Sequence, residues 1–153
     1  MQSFPLFVVL VFALNALWFG AAFKFFSINP QRAAALLVPQ NADLNIPTPM
    51  LPTLAASLRF LGGMNFALAA FAILLLCNQA LFPHPKQIAL FALVFAIAHA
   101  SQFIYNVPIA IQNYRGDSSL WWVLKGRMLF IFVVDFMLML ANAVIALLLY
   151  TRV

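Results

Sequence analysis

The chain has 153 residues, 66% of them hydrophobic and 7% charged, with 17 Phe, 3 Trp and no Glu, and a mean hydropathy of +1.03. A soluble domain of this size needs a polar shell that this composition does not supply, so the chain reads as an integral, multi-pass membrane protein. The net charge of +5 comes from eight dispersed basic residues, which suits a membrane surface and argues against nucleic acid as a partner.

A bilayer-crossing helix takes about 20 apolar residues, and four such runs follow one another: Phe4 to Phe26, Ala55 to Leu76, Ile88 to Val107 and Met128 to Tyr150. Their apolar residues run continuously without alternating, which excludes barrel strands. The expected fold is all-α, an antiparallel four-helix transmembrane bundle in one domain with a long, partly interfacial first loop. "MQSF" has no basic n-region and the apolar run exceeds a signal-peptide core, so the first span is expected to be retained. That span carries one amide, Asn15.

In the first loop, Asn29-Pro30 reads as an N-cap followed by a first-turn proline, so "PQRAAALLV" is expected to form a short interfacial helix ended by Pro39. "IPTPMLP" predicts an extended entry into the second span. The apolar content of the loop predicts that it folds over the helix ends, as a packed connector or as a lid over a cavity. The second span, "SLRFLGGMNFALAA", brings Arg59, Gly62, Gly63 and Asn65, and its small residues permit close helix approach. Cys77 stands alone, which excludes an intramolecular disulfide and a paired-thiol mechanism.

"FPHPK" is a tight turn with His84 solvated. The third span then places His99, Gln102 and Asn106 in "AHASQFIYN", at i, i+3 and i+7 on one helix face. Pro108 is expected to end or kink this helix, and Gly116 in "NYRGDSS" to close it, with Ser118 or Ser119 capping the fourth helix. Trp121 and Trp122 suit the interfacial aromatic belt. The fourth span carries Asp135 and Asn142, again seven apart.

Loops 1 and 3, with the helix ends beside them, hold six of the eight basic residues: Lys24, Arg32, Arg59, Arg115, Lys125 and Arg127. The positive-inside rule puts that side in the cytoplasm and both termini on the non-cytoplasmic side. Counting the helical rise from these residues, Asn15 lies about 13 Å deep, Asn65 about 9 Å, Asp135 about 12 Å and His99 roughly 10 Å. Four spans therefore bring a polar residue to one level, and His99 and Asp135 are expected within hydrogen-bond or one-water reach.

A carboxylate near mid-bilayer costs about 2.5 to 3.5 kcal/mol on insertion scales, so Asp135 should be protonated, paired with His99 or functional. His99 and Asp135 are the candidate catalytic pair, suited to moving a proton in an enzyme or a proton-coupled carrier. The candidate ligand-binding set is Asn15, Arg59, Asn65, His99, Gln102, Asn106, Asp135 and Asn142. In the plainer reading the same amides are interhelical packing glue. A zinc site lacks ligands, and one membrane histidine cannot give bis-histidine haem ligation. No cofactor or metal is expected, and a single axial ligand from His99 to haem or chlorophyll is the one cofactor reading left open.

The segment "LRFLGGMNFALAAFAILLL", with Arg59, Gly62 and Gly63 opening a helix, resembles the DoxX-like group of small four-helix membrane proteins. The resemblance implies a compact four-helix bundle and favours a non-catalytic role, since several members act as accessory subunits of membrane oxidoreductases. The expectation is a small accessory subunit or hydrophobic-ligand binder, with membrane lipid, a small apolar ligand or a larger membrane complex as partner. The alternative is an enzyme or carrier working through His99 and Asp135. With His99 and Asp135 in reach of each other, Asp135→Asn is expected to be tolerated for folding and Asp135→Leu to cost on the order of 1 to 3 kcal/mol, whereas a proton-handling function would be lost with Asn while the fold stays.

Overall fold

The computed structural model describes residues 4–37 and 50–151, and all regular elements among them are helical. Helix α1 is Leu6–Phe23, α2 Pro30–Leu36, α3 Met50–Cys77, α4 Pro85–Ile104, α5 Val107–Arg115 and α6 Gly126–Tyr150. Four helical stretches, Leu6–Ile28, Met50–Cys77, Pro85–Arg115 and Gly126–Tyr150, are long and apolar enough to cross a membrane. Consecutive stretches run antiparallel. At one end the Phe4 N–H donates to Gln79 Oε1 just past α3 (2.8 Å), and at the other Ser27 Oγ donates to the Arg59 carbonyl near the start of α3 (3.2 Å). Lys86, at the start of α4, likewise lies over the Tyr150 ring at the end of α6.

The molecule is apolar on both its inside and its outside. Val8, Phe12 and Phe19 of α1 pack against Ala72 of α3, Phe95 of α4 and Ile145 of α6. Leu17, Phe60 and Leu147 point outward, 70%, 82% and 65% exposed. Such rings and branched chains over every long helix would be an aggregation surface in water and are the normal surface in lipid. The polar residues Asn15, Asn65, His99, Asp135 and Asn142 are buried.

Several boundaries differ from the sequence reading, each for a local reason. α1 continues past Phe23 as a widened π-helical turn, Lys24–Ile28, closed by Asn29 N–H on the Lys24 carbonyl (3.2 Å). α2 ends at Leu36, so its expected stop at Pro39 lies outside the described residues, and the Asn29 side chain turns back to the Lys24 carbonyl (3.3 Å) rather than capping α2. α3 starts at Met50, earlier than Ala55, because Pro52 sits in the first turn, where a missing N–H breaks no bond. Of the expected extended entry, Met50 to Pro52 are therefore helical, and residues 46–49 lie outside the described set.

The third span does not end at Val107. Pro108 cannot donate to the Ile104 carbonyl, so the helix opens at Tyr105 and Asn106 and resumes as α5 to Arg115, where Gly116 closes it in the left-handed conformation (φ +77°). The fourth span starts at Gly126 with Lys125 in the N-cap position. Neither Ser118 nor Ser119 caps it; the Ser119 hydroxyl donates to the Trp121 carbonyl (3.1 Å). His84 is exposed and precedes α4, its N–H on Gln87 Oε1 (3.3 Å).

The described first part of the loop packs on α3: Ala33 and Ala34 of α2 lie against Ala55 and Leu58, beside Phe25 and Phe26, while residues 38–49 of the expected fold-over lie outside the described residues. This seat depends on one glycine. A Cβ on Gly62 would collide with Ser27 Oγ and lie 2.7 Å from the Ser27 backbone nitrogen and 2.9 Å from its Cβ, whereas one on Gly63 meets nothing within 4 Å. Gly62→Ala should therefore destabilise by about 1 to 3 kcal/mol through overpacking against backbone. Gly63→Ala should be neutral or stabilising by up to about 1 kcal/mol, the helix-propensity difference. Thermal unfolding of the two variants in one detergent checks the pair; equal midpoints would contradict the close approach.

Candidate functional site

Three of the long helices meet at one polar network. His99 of α4 is fully buried, with Nδ1 2.9 Å from Asp135 Oδ1 of α6 and Nε2 3.0 Å from Asn15 Oδ1 of α1. Asn15 and Asn142 exchange amide hydrogen bonds, Asn15 Nδ2 to Asn142 Oδ1 at 2.9 Å and Asn142 Nδ2 to Asn15 Oδ1 at 3.0 Å. Trp18 Nε1 donates to the same Asp135 Oδ1 at 2.9 Å. Phe19 stacks on the His99 ring at 4.6 Å, closing one face of it.

The proton positions follow from one backbone acceptor. Asn142 Nδ2 also donates to the Leu138 carbonyl at 2.8 Å, and a carbonyl can only accept, so the nitrogen of that amide is assigned. The reciprocal pair then makes the Asn15 atom facing His99 an oxygen, and His99 Nε2 must carry a hydrogen to meet it. One further proton lies between Nδ1 and Asp135 Oδ1. The pair is imidazolium with carboxylate or imidazole with carboxylic acid, and in both forms its net charge is zero. That neutrality is what permits it so far from water.

The other sequence candidates are placed elsewhere. Gln102 is half-buried on the wall of a cavity, and Asn106, within the break after α4, accepts from Trp121 Nε1 (3.0 Å) at the third loop. Asn65 is buried and donates to the Leu61 carbonyl of its own helix (2.8 Å), and its Oδ1 has no hydrogen-bond partner among the described residues. Arg59 is exposed beside a separate hollow of about 250 Å³ near Pro30 and Pro52. Both ring nitrogens of His99 are engaged, so axial ligation of a haem or chlorophyll through it would require the network to open.

Two polar residues were not singled out from sequence. Trp18 stands three residues after Asn15 on the same face, and an indole N–H within an apolar span needs an acceptor, which was a readable signal. Asn113 gives no such signal, being in a polar stretch. Its Oδ1 accepts from the Val123 N–H (2.6 Å) and its Nδ2 donates to Ser119 Oγ (2.6 Å), pinning the third loop against α5.

Beside the network, between α1 and α6, lies a cavity of about 330 Å³. Trp18, Ala22, Phe25 and Phe130 form apolar walls, and Gln102 and Arg127 supply the polar groups. The widened turn after Phe23 lets the consecutive rings of Phe25 and Phe26 both face it. Trp18 thus belongs to both features, its ring on the cavity and its N–H on Asp135. Neither a protein-family model, a characterised protein nor a solved structure matches the chain.

The shared oxygen revises what substitutions at Asp135 should do. Asp135 Oδ1 accepts from Trp18 and meets His99 Nδ1 in either protonation form, whereas an amide offers an acceptor oxygen or a donor nitrogen to that spot. Asp135→Asn should therefore cost about 1 to 2 kcal/mol and Asp135→Leu about 1 to 3 kcal/mol, each leaving buried donors unpaired. Adding Trp18→Phe to Asp135→Asn should recover part of the loss, because the unpaired indole donor goes; a thermal-unfolding double-mutant cycle showing strict additivity would refute the shared acceptor. Nitrogen NMR of labelled His99 should show Nε2 protonated, and a ring protonated at Nδ1 alone would overturn the assignment.

Proposed function

We propose that the chain is a small, non-catalytic membrane protein that holds an apolar molecule with one polar end in the cavity between α1 and α6. The observation that carries this reading is the separation of the two features: none of Asn15, His99, Asp135 or Asn142 lines a described cavity, whereas the 330 Å³ space beside them has apolar walls and two polar groups. That is the usual composition of a small-molecule site, at its smaller end. The network's part is then to hold α1, α4 and α6 together. At roughly 0.6 kcal/mol for an average interhelical hydrogen bond in a membrane protein, its five such bonds contribute on the order of 3 kcal/mol.

A second reading, an enzyme or proton-coupled carrier worked by His99 and Asp135, draws on the proton shared across their 2.9 Å contact. Closure of the site weighs against it, since His99 is covered by Phe19 and His99 and Asp135 are 0% and 1% exposed. In the favoured reading both termini lie on the non-cytoplasmic side, with Lys24, Arg32, Arg59, Arg115, Lys125 and Arg127 gathered at the cytoplasmic end.

Purification in mild detergent followed by mass spectrometry should find a lipid or other apolar molecule bound to the parent chain. It should be lost from an Ala22→Phe variant, whose ring fills the cavity. A parent chain that carries nothing, yet turns over a substrate in a way Asp135→Asn abolishes at temperatures where that variant is folded, would favour the second reading. For orientation, a C-terminal alkaline-phosphatase fusion should be active, and an inactive one beside a fluorescent cytoplasmic reporter would reverse it.

A further inference from the structure

We infer that the cavity between α1 and α6 binds an acyl-chain anion, its acid head at Arg127 and its chain against Trp18 and Phe25. This rests on the ligand-binding reading above and adds the chemical class and the orientation of the ligand.

Charge sets the class. Arg127 is the second residue of α6, exposed at the rim of the cavity, and among the described residues no carboxylate lies within ion-pair distance of it. A guanidinium is permanently charged and presents a planar fork of donors that suits a carboxylate or a phosphate. No acidic side chain lines the cavity to neutralise it or to attract a cation. The second polar group, Gln102, makes no side-chain hydrogen bond to another described residue, so its amide is available to the same head. A smaller hollow of about 140 Å³ shares Arg127 and adds Lys125, which lies over the Trp122 ring at 4.1 Å. The two basic side chains that line these hollows, Arg127 and Lys125, face no acidic side chain in either lining.

Shape and polarity set the rest. Trp18, Ala21, Ala22 and Phe25 line about 10 Å of α1 and the turn after it, and each of these four wall residues is apolar. The volume has room for roughly eleven groups the size of a water molecule, which fits one chain segment and not two chains side by side. Ala21, Arg127 and Phe130 are exposed, so the cavity opens on the outer face of the bundle, where a chain can enter sideways from lipid with its head held at the level of the α6 start. A water-soluble anion would leave the apolar walls unused, and a neutral lipid would leave the guanidinium without its partner. A free fatty acid and an anionic phospholipid share the required chemistry.

Native mass spectrometry of the full chain in detergent, titrated with oleate and with oleyl alcohol, tests the class. Oleate should bind about tenfold more tightly, as one charge-assisted contact implies. Arg127→Gln should bring the two to within about twofold, and Arg127→Lys should keep most of the preference. Competition with phosphatidylglycerol against phosphatidylcholine identifies the source: displacement of oleate by phosphatidylglycerol alone assigns the anion to a lipid head group, and displacement by neither assigns it to a free acid. Displacement by both in equal measure overturns the inference. So does equal binding of oleate and oleyl alcohol to the parent, or a preference that survives Arg127→Gln. If both ligands bind equally and Ala22→Phe removes both, the binding site stands and the anion falls; if neither binds the parent, the ligand-binding reading itself fails. Should Ala22→Phe not fold, Ala21→Trp at the exposed rim serves in its place.

Discussion

One oxygen atom of Asp135 receives contacts from two other helices, and the arrangement of the bundle interior depends on it. Without His99 and Trp18 beside it, a carboxyl group at that depth would face hydrocarbon, a state that costs several kcal/mol. With them, α1, α4 and α6 are tied at one level by groups that have no alternative partner in lipid. The amides extend the tie. Asn15 bridges His99 to Asn142, and Asn142 ends the chain on the Leu138 carbonyl of its own helix, so the donors named here each find an acceptor. A polar network in a low-dielectric interior contributes most when its donors are paired, and here the donors of Trp18, Asn15 and Asn142 each meet an acceptor.

Much of this was legible in the sequence because a helix rises and turns at fixed rates. Four apolar runs gave the spans, and counting from basic residues brought Asn15, His99 and Asp135 to a common depth, where the structure joins them. Asn142 shares its face with Asp135 at a spacing of seven. The same counting does not say which neighbour a stripe faces. Gln102 lies about 60° round the helix from His99, enough to turn it to the cavity. Asn106 lies about 10 Å further along the axis, within the break that Pro108 imposes, and it meets Trp121 there. Asn65 reaches the right depth but bonds to its own helix, because an asparagine amide can always find the carbonyl one turn back.

What sequence could not supply was the separation of network from cavity. Part of the cavity wall, Phe25 and Phe26, comes from the π-helical turn that follows Phe23, and a widened turn has no periodic signature. That turn carries Ser27 to within contact of Gly62, so a glycine in α3 and a bulge in α1 are two halves of one packing solution. Read as small residues in the sequence, Gly62 and Gly63 are equivalent. Only the first has a neighbour, since which face of α3 meets α1 depends on where the bulge falls.

Trp18 connects the network and the cavity, and through it the buried polar contact bears on the shape of the space beside it. The outer and inner faces of the bundle are almost equally apolar, so hydrophobic burial alone does not set how far one helix slides past another. A slip of one turn would cost little in packing enthalpy and would move every wall of a cavity formed between two helices. The network removes that freedom, because any slip strands Asp135, His99 or the paired asparagines without partners in hydrocarbon. Trp18 carries the consequence across: its N–H is held by the network, so its ring is held on the cavity wall opposite Phe130, 5.6 Å between ring centroids. The polar interior thus shapes the cavity through position, although neither His99 nor Asp135 lines it.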